Sequence, residues 1–93
     1  MFEAHNKIFI ESEEHGERLQ HGFSHAAEHM KQVPGFVQFS MLKAQDGSHY
    51  IVRVLWETEE HFHHWVKSDH FREAHKGQSG SGQAELTGYH VIL

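Results

Sequence analysis

Positions 2–10, FEAHNKIFI, alternate, with Phe2, Ala4, Asn6, Ile8 and Ile10 falling on one face. A period of two predicts a half-buried strand. Asn6 stands out there, because it is a polar residue on the face that should be buried. Ser12 followed by Glu13 and Glu14 predicts a helix start: the hydroxyl can accept a first-turn N–H, and the acids suit the positive end of the helix dipole. Leu19, Phe23, Ala26, Ala27 and Met30 then follow helical spacing. Val33-Pro34-Gly35 ends that helix, since proline cannot continue it.

FVQFSMLKA and HYIVRVLWE predict two further strands. The Asp46-Gly47 pair between them is a hairpin signal, because glycine tolerates positive φ. Tyr50, Val52, Val54 and Trp56 share one face of the second of these strands; Ile51 and Leu55 share the other, interrupted by Arg53. Both faces are substantially apolar, so one can take helices and the other a partner subunit. Thr58, with Glu59 and Glu60 behind it, caps a second helix with Phe62, Trp65 and Val66 as its apolar stripe. Ser68 and Asp69 mark a restart, after which Phe71, Ala74 and His75 fall at i, i+3 and i+4. GQSGSGQ, residues 77–83, is a flexible loop by composition, and ELTGYHVIL is a last strand. The order βαββαβ is the split-βαβ, ferredoxin-like pattern. It predicts an α+β domain with an antiparallel sheet and its helices on one face.

The 93 residues suit a single domain over 1–93. A chain this short buries a limited share of its surface, and association is one way to gain more core. Apolar residues at 38%, seven of the 93 being Phe, argue for a globule over a disordered segment. The absence of cysteine excludes disulfides, thiolate metal sites and a cysteine nucleophile. A net charge of −5 offers no basic footprint for nucleic acid. No apolar run approaches the roughly 18 residues of a membrane span. The opening MFEAHNKIFI lacks a signal-peptide pattern, so the expected location is cytoplasmic.

Twelve histidines need sorting. His21, His25 and His29 repeat every four residues on a helix face opposite Phe23, where a solvated stripe is expected, though i,i+4 pairs can chelate a metal. His25 to His29 also spells H-x-x-E-H, the inverted zinc-protease motif. In so histidine-rich a chain the match carries little weight, and the domain has little space for a protease cleft. His63 and His64 are expected in solvent, and His5 points away from Asn6. His90 is expected as a packed or hydrogen-bonded sheet residue. His75 shares a stripe with Phe71 and Ala74 and should face the interior, as a satisfied core histidine or as a ligand to a metal or cofactor. Trp65 is likewise core or cofactor wall.

EAHNKI, VPGFVQFSMLKA and YIVRVLWETEEHFHHWVKSDHFREAH resemble the antibiotic biosynthesis monooxygenase superfamily, and within it the IsdG-type haem-degrading monooxygenases. The discriminating element is an Asn in the first strand, a Trp in the second helix and a His ten residues later: here Asn6, Trp65 and His75. The resemblance implies a ferredoxin-like domain that dimerises through its sheets into a β-barrel, with a pocket in each subunit between sheet and helices. It implies haem as substrate and cofactor, opened with O2 and electrons from an external reductant so that iron is released. In that frame His75 ligates the haem iron on the proximal side, Asn6 donates a hydrogen bond to dioxygen on the distal side, and Trp65 presses on the macrocycle and helps ruffle it. Phe23 and Phe71 are candidates to line the haem pocket, and the 77–83 loop to cover its edge. Two alternatives remain: a cofactor-independent monooxygenase acting on an aromatic substrate, and a non-enzymatic haem- or metal-binding module.

Overall fold

The computed structural model describes residues 1–68 and 84–93. Its elements run β1 (Phe2–Phe9), α1 (Glu13–Met30), β2 (Phe36–Lys43), β3 (His49–Trp56), α2 (Glu59–Val66) and β4 (Ala84–His90). Both predicted helix starts are present. Ser12 Oγ accepts from the His15 N–H at 3.1 Å, and Thr58 Oγ1 accepts from the His61 N–H at 3.2 Å. Each cap satisfies one of the N–H groups that a helix start leaves without an internal partner. The β2–β3 turn closes at Gly47, whose φ is +77°, while the Ser48 N–H donates to Asp46 Oδ1 at 2.9 Å.

The four strands form one antiparallel sheet in the order β2-β3-β1-β4. Phe2 pairs with Trp56 and Asn6 with Val52, so the apolar faces of β1 and β3 coincide. Phe2, Ala4 and Ile8 join Tyr50, Val52, Val54 and Trp56 beneath Leu19, Phe23 and Met30 of α1 and Phe62 of α2. This is a ferredoxin-like α+β fold with both described helices on one side of the sheet. The sheet is open, with β2 and β4 at its edges; the barrel that the resemblance implies requires a second copy.

Two glycines fit places where a side chain cannot. Gly35, at φ +83°, follows Pro34, and its carbonyl accepts from the Glu57 N–H at 2.8 Å. The His61 ring occupies the space a Cβ would need. At Gly88 of β4 the Phe2 ring takes that space. Gly35→Ala is therefore expected to lower stability by more than about 1 kcal/mol, from the positive φ and the displaced His61. Urea melts check this; an unchanged midpoint would show that neither constraint matters.

The opposite face of the sheet carries a polar cluster. Glu3 accepts from His5 Nε2 at 2.7 Å and from an Arg53 guanidinium nitrogen at 3.1 Å. Arg53 Nε is buried without a partner among the described residues. The His5 hydrogen bond holds the Glu3 carboxyl below its ordinary 4.5; burial opposes this and Arg53 assists it. A depressed carboxylate adds stability that is full above the unfolded value and is lost as pH falls through the folded value. Glu3→Gln should thus lower stability at neutral pH and flatten its decline below about pH 4.5, measured as urea midpoints from pH 7 to pH 3. An equally steep acid decline in the variant would assign it to other groups.

Candidate functional site

Asn6 is in β1, a central strand, between Val52 of β3 and Leu86 of β4. Strand alternation puts its side chain on the helix-covered face with Ala4 and Ile8, and it is half-buried there. Its carboxamide has two donors and an acceptor oxygen, yet makes no side-chain hydrogen bond among the described residues. Half-buried and without a side-chain bond, the amide keeps its donors and acceptor open to a ligand. Leu86, adjacent in register, is exposed on the same side.

Trp65 is on the inner stripe of α2, which packs over β1 and β3. It is half-buried against the core. Its ring meets Trp56 with centroids 5.5 Å apart and planes tilted by 39°. Trp56 is wholly buried and is braced edge-on by Phe36 and Phe62, with centroids at 6.4 and 6.3 Å. Trp65 is thus an aromatic surface supported from below, on the same side of the sheet as Asn6. Such a wall suits a flat apolar ligand. The two carboxyls held below their ordinary values, Glu3 on the far face of the sheet and Asp46 in the β2–β3 turn, do not act at this surface.

Phe23 is in a different place. It is buried under α1 and lines a groove of about 440 Å³ with Gln20, Ser24, Phe39, Ser40, Met41, Lys43 and Tyr50. That groove opens over β2 and β3, whereas Asn6 is on β1. The Tyr50 hydroxyl closes one end, donating to the Gly16 carbonyl at 3.2 Å and accepting from Gln20 Nε2 at 2.8 Å. His75, Phe71 and the 77–83 loop lie outside the described residues. His90, expected as a packed or hydrogen-bonded sheet residue, is largely exposed but sets its ring edge-on to Phe2 at 5.4 Å and its Nε2 at 3.5 Å from Glu59. No group of three or more His, Asp or Glu side chains among the described residues is placed to hold a metal ion.

The structure brings Asn6 and Trp65 to one side of one sheet. It adds Trp56 and Leu86, which their sequence pattern marks only as strand residues. Strand periodicity could give the face of Trp56, but its contact with Trp65 arises where α2 crosses β3. Leu86 meets Asn6 through the β1–β4 register.

The family model for antibiotic biosynthesis monooxygenase matches residues 1–77. A curated heme oxygenase (staphylobilin-producing) from Staphylococcus saprophyticus is 32% identical over 53 residues, 54% of this chain and 51% of that protein; the match spans about half the length of that relative. The structure of the heme-degrader MhuD from Mycobacterium tuberculosis, with two hemes bound in its active site, is 27% identical, covers 100% of this chain and 97% of that one, and superposes with a TM-score of 0.76. SnoaB, a cofactor-independent oxygenase from Streptomyces nogalater, is 15% identical with a TM-score of 0.85, covering 99% of this chain and 93% of that one. At that identity the SnoaB likeness shows the fold alone.

Proposed function

The chain belongs to the antibiotic biosynthesis monooxygenase family, and from that premise we propose that it is a haem-degrading monooxygenase, opening the porphyrin with O2 and electrons from an external donor and releasing iron. The observation that carries this reading is the Asn6 carboxamide, half-buried on the helix side of a central strand with no side-chain hydrogen bond among the described residues. The likenesses to MhuD and to the staphylococcal heme oxygenase support haem over other planar substrates.

The residues present fit such a substrate. Trp56 holds Trp65 at a fixed tilt, which gives a flat apolar wall. Leu86 adds apolar surface beside Asn6. Bound haem would supply the iron at which O2 is reduced and the ring carbon that is oxidised. Asn6 Nδ2 is the donor offered to oxygen in this chemistry, and its place on a strand limits the reorganisation needed to use it. Trp65 would pack against the face of the bound macrocycle, and His75, outside the described residues, would hold its iron through a ring nitrogen. Phe71 would line the haem; Phe23, the other lining candidate, borders the groove over β2 and β3 and not the surface beside Asn6.

A second copy of the chain is part of this reading. The outer face of the sheet carries Ile51, Leu55 and the exposed Leu42 and Tyr89 around the Glu3–His5–Arg53 cluster, and neither described helix covers it. Pairing of two such faces makes the barrel.

Haem titration of the purified protein tests the function. The wild type is expected to give a saturable Soret band with one set of ligand-field features, and His75→Ala to lose them. Reductant under air should then bleach the Soret band and deliver iron to a ferrous chelator. Haem left intact would remove the enzymatic assignment while preserving binding. Oxygenation of a polycyclic phenol by haem-free protein would favour the SnoaB-like alternative instead.

A further inference from the structure

The histidine stripe on α1 contains a feature that haem chemistry does not use. His21 and His25 are one turn apart, and their Nε2 atoms are 3.3 Å from each other. Their rings meet nearly edge-on, with planes at 82° and centroids at 4.8 Å. Two imidazole nitrogens bound to one tetrahedral zinc at about 2.0–2.1 Å are separated by about 3.3–3.4 Å. The pair already has that separation. Both side chains are exposed, and χ2 of histidine is a broad torsion, so a small rotation aims both lone pairs at a common point outside the helix.

We propose that His21 and His25 form a two-imidazole chelate for a late first-row divalent metal ion, zinc or copper, on the solvent face of α1. In the metal-free pair one Nε2 carries the proton and donates to the other. On binding, that proton moves to Nδ1 of its own ring, both Nε2 atoms coordinate, and two metal-bound waters leave. With no third His, Asp or Glu side chain at ligand distance among the described residues, water completes the coordination sphere. Imidazole nitrogen favours copper and zinc over magnesium or calcium.

The clip also has a structural consequence. It closes one helical turn across Gly22, which has no heavy atom within 4 Å of where a Cβ would be. Glycine is the poorest helix former after proline, so this is the weakest exposed turn of α1. A ligand that binds only the folded geometry stabilises the fold in proportion to its saturation. Metal is therefore expected to stiffen α1 at the turn that carries Phe23.

Zinc titration of the haem-free protein by calorimetry at pH 7.5, with thermal melts in parallel, tests the site. The wild type should show one tightest class of one zinc per chain and a rise in Tm. His21→Asn and His25→Asn should each weaken that class by about tenfold or more and abolish the rise, while their metal-free melts stay near the wild type because both positions are exposed. His29→Asn and His63→Asn should leave it within twofold. An unweakened tightest class in either His21→Asn or His25→Asn overturns the proposal, as does an equal loss in His29→Asn. His75→Ala should retain zinc binding in full, so failure here and failure of the haem reading are separate results.

Discussion

Asn6→Ala is expected, on the proposed haem-degrading function, to slow turnover by about 10²–10³-fold, the cost of removing one preorganised donor to developing negative charge. It should leave the stability of the fold within about 1 kcal/mol of wild type. The two expectations have one cause. A buried amide bonded to the protein would, on truncation, leave its partner unsatisfied and destabilise the fold. The Asn6 carboxamide has no such side-chain partner among the described residues, so its loss strands nothing. Haem affinity should also change little, because the planar contacts stay. Single-turnover decay of the Soret band under air, alongside urea melts, reads both quantities. A variant that unfolds early but turns over normally would make Asn6 a structural residue and remove the main support for the functional reading.

Trp56→Ala is expected to destabilise the protein by about 3–5 kcal/mol, a fall in Tm of about 15 °C or more for a domain of this size. Trp56 has no exposed surface and touches Phe36, Phe62 and Trp65, so its removal leaves a cavity bounded by three aromatic rings. The same change removes the support under Trp65, and on the proposed function haem turnover should fall even at temperatures where the variant is folded. Trp56→Phe separates the two effects. It keeps an aromatic ring beneath Trp65 and deletes an indole N–H that is buried without a partner among the described residues, so it should cost less than about 1.5 kcal/mol. If the alanine and phenylalanine variants lose equal activity, support of Trp65 is not what Trp56 provides.

Some of this molecule is legible from local pattern. The caps at Ser12 and Thr58, the Asp46-Gly47 turn, the end of α1 near Pro34 and the faces of β1 and β3 are set by interactions between residues a few positions apart. Side-chain oxygens reach N–H groups three residues on, glycine admits positive φ, and alternation sorts a strand into two faces. Asn6 is legible on the same ground, because one polar residue breaks an apolar face. The His21–His25 pair is legible as a spacing, since i,i+4 positions adjoin on any helix.

Other features depend on contacts between distant residues. Trp65 reads from the sequence as core or cofactor wall, and its contact with Trp56 depends on the angle at which α2 crosses the sheet. Phe23 is apolar by periodicity and a haem-pocket lining only by family resemblance; α1 packs toward β2 and turns it into a separate groove. Glu3 and Arg53 are 50 residues apart and meet through the β1–β3 register. Local sequence determines which elements form and which side of each is apolar, because those depend on neighbours within a turn or a strand. The tertiary structure alone decides which side chains share a surface, because docking angle and strand register are set by the packing of the whole core.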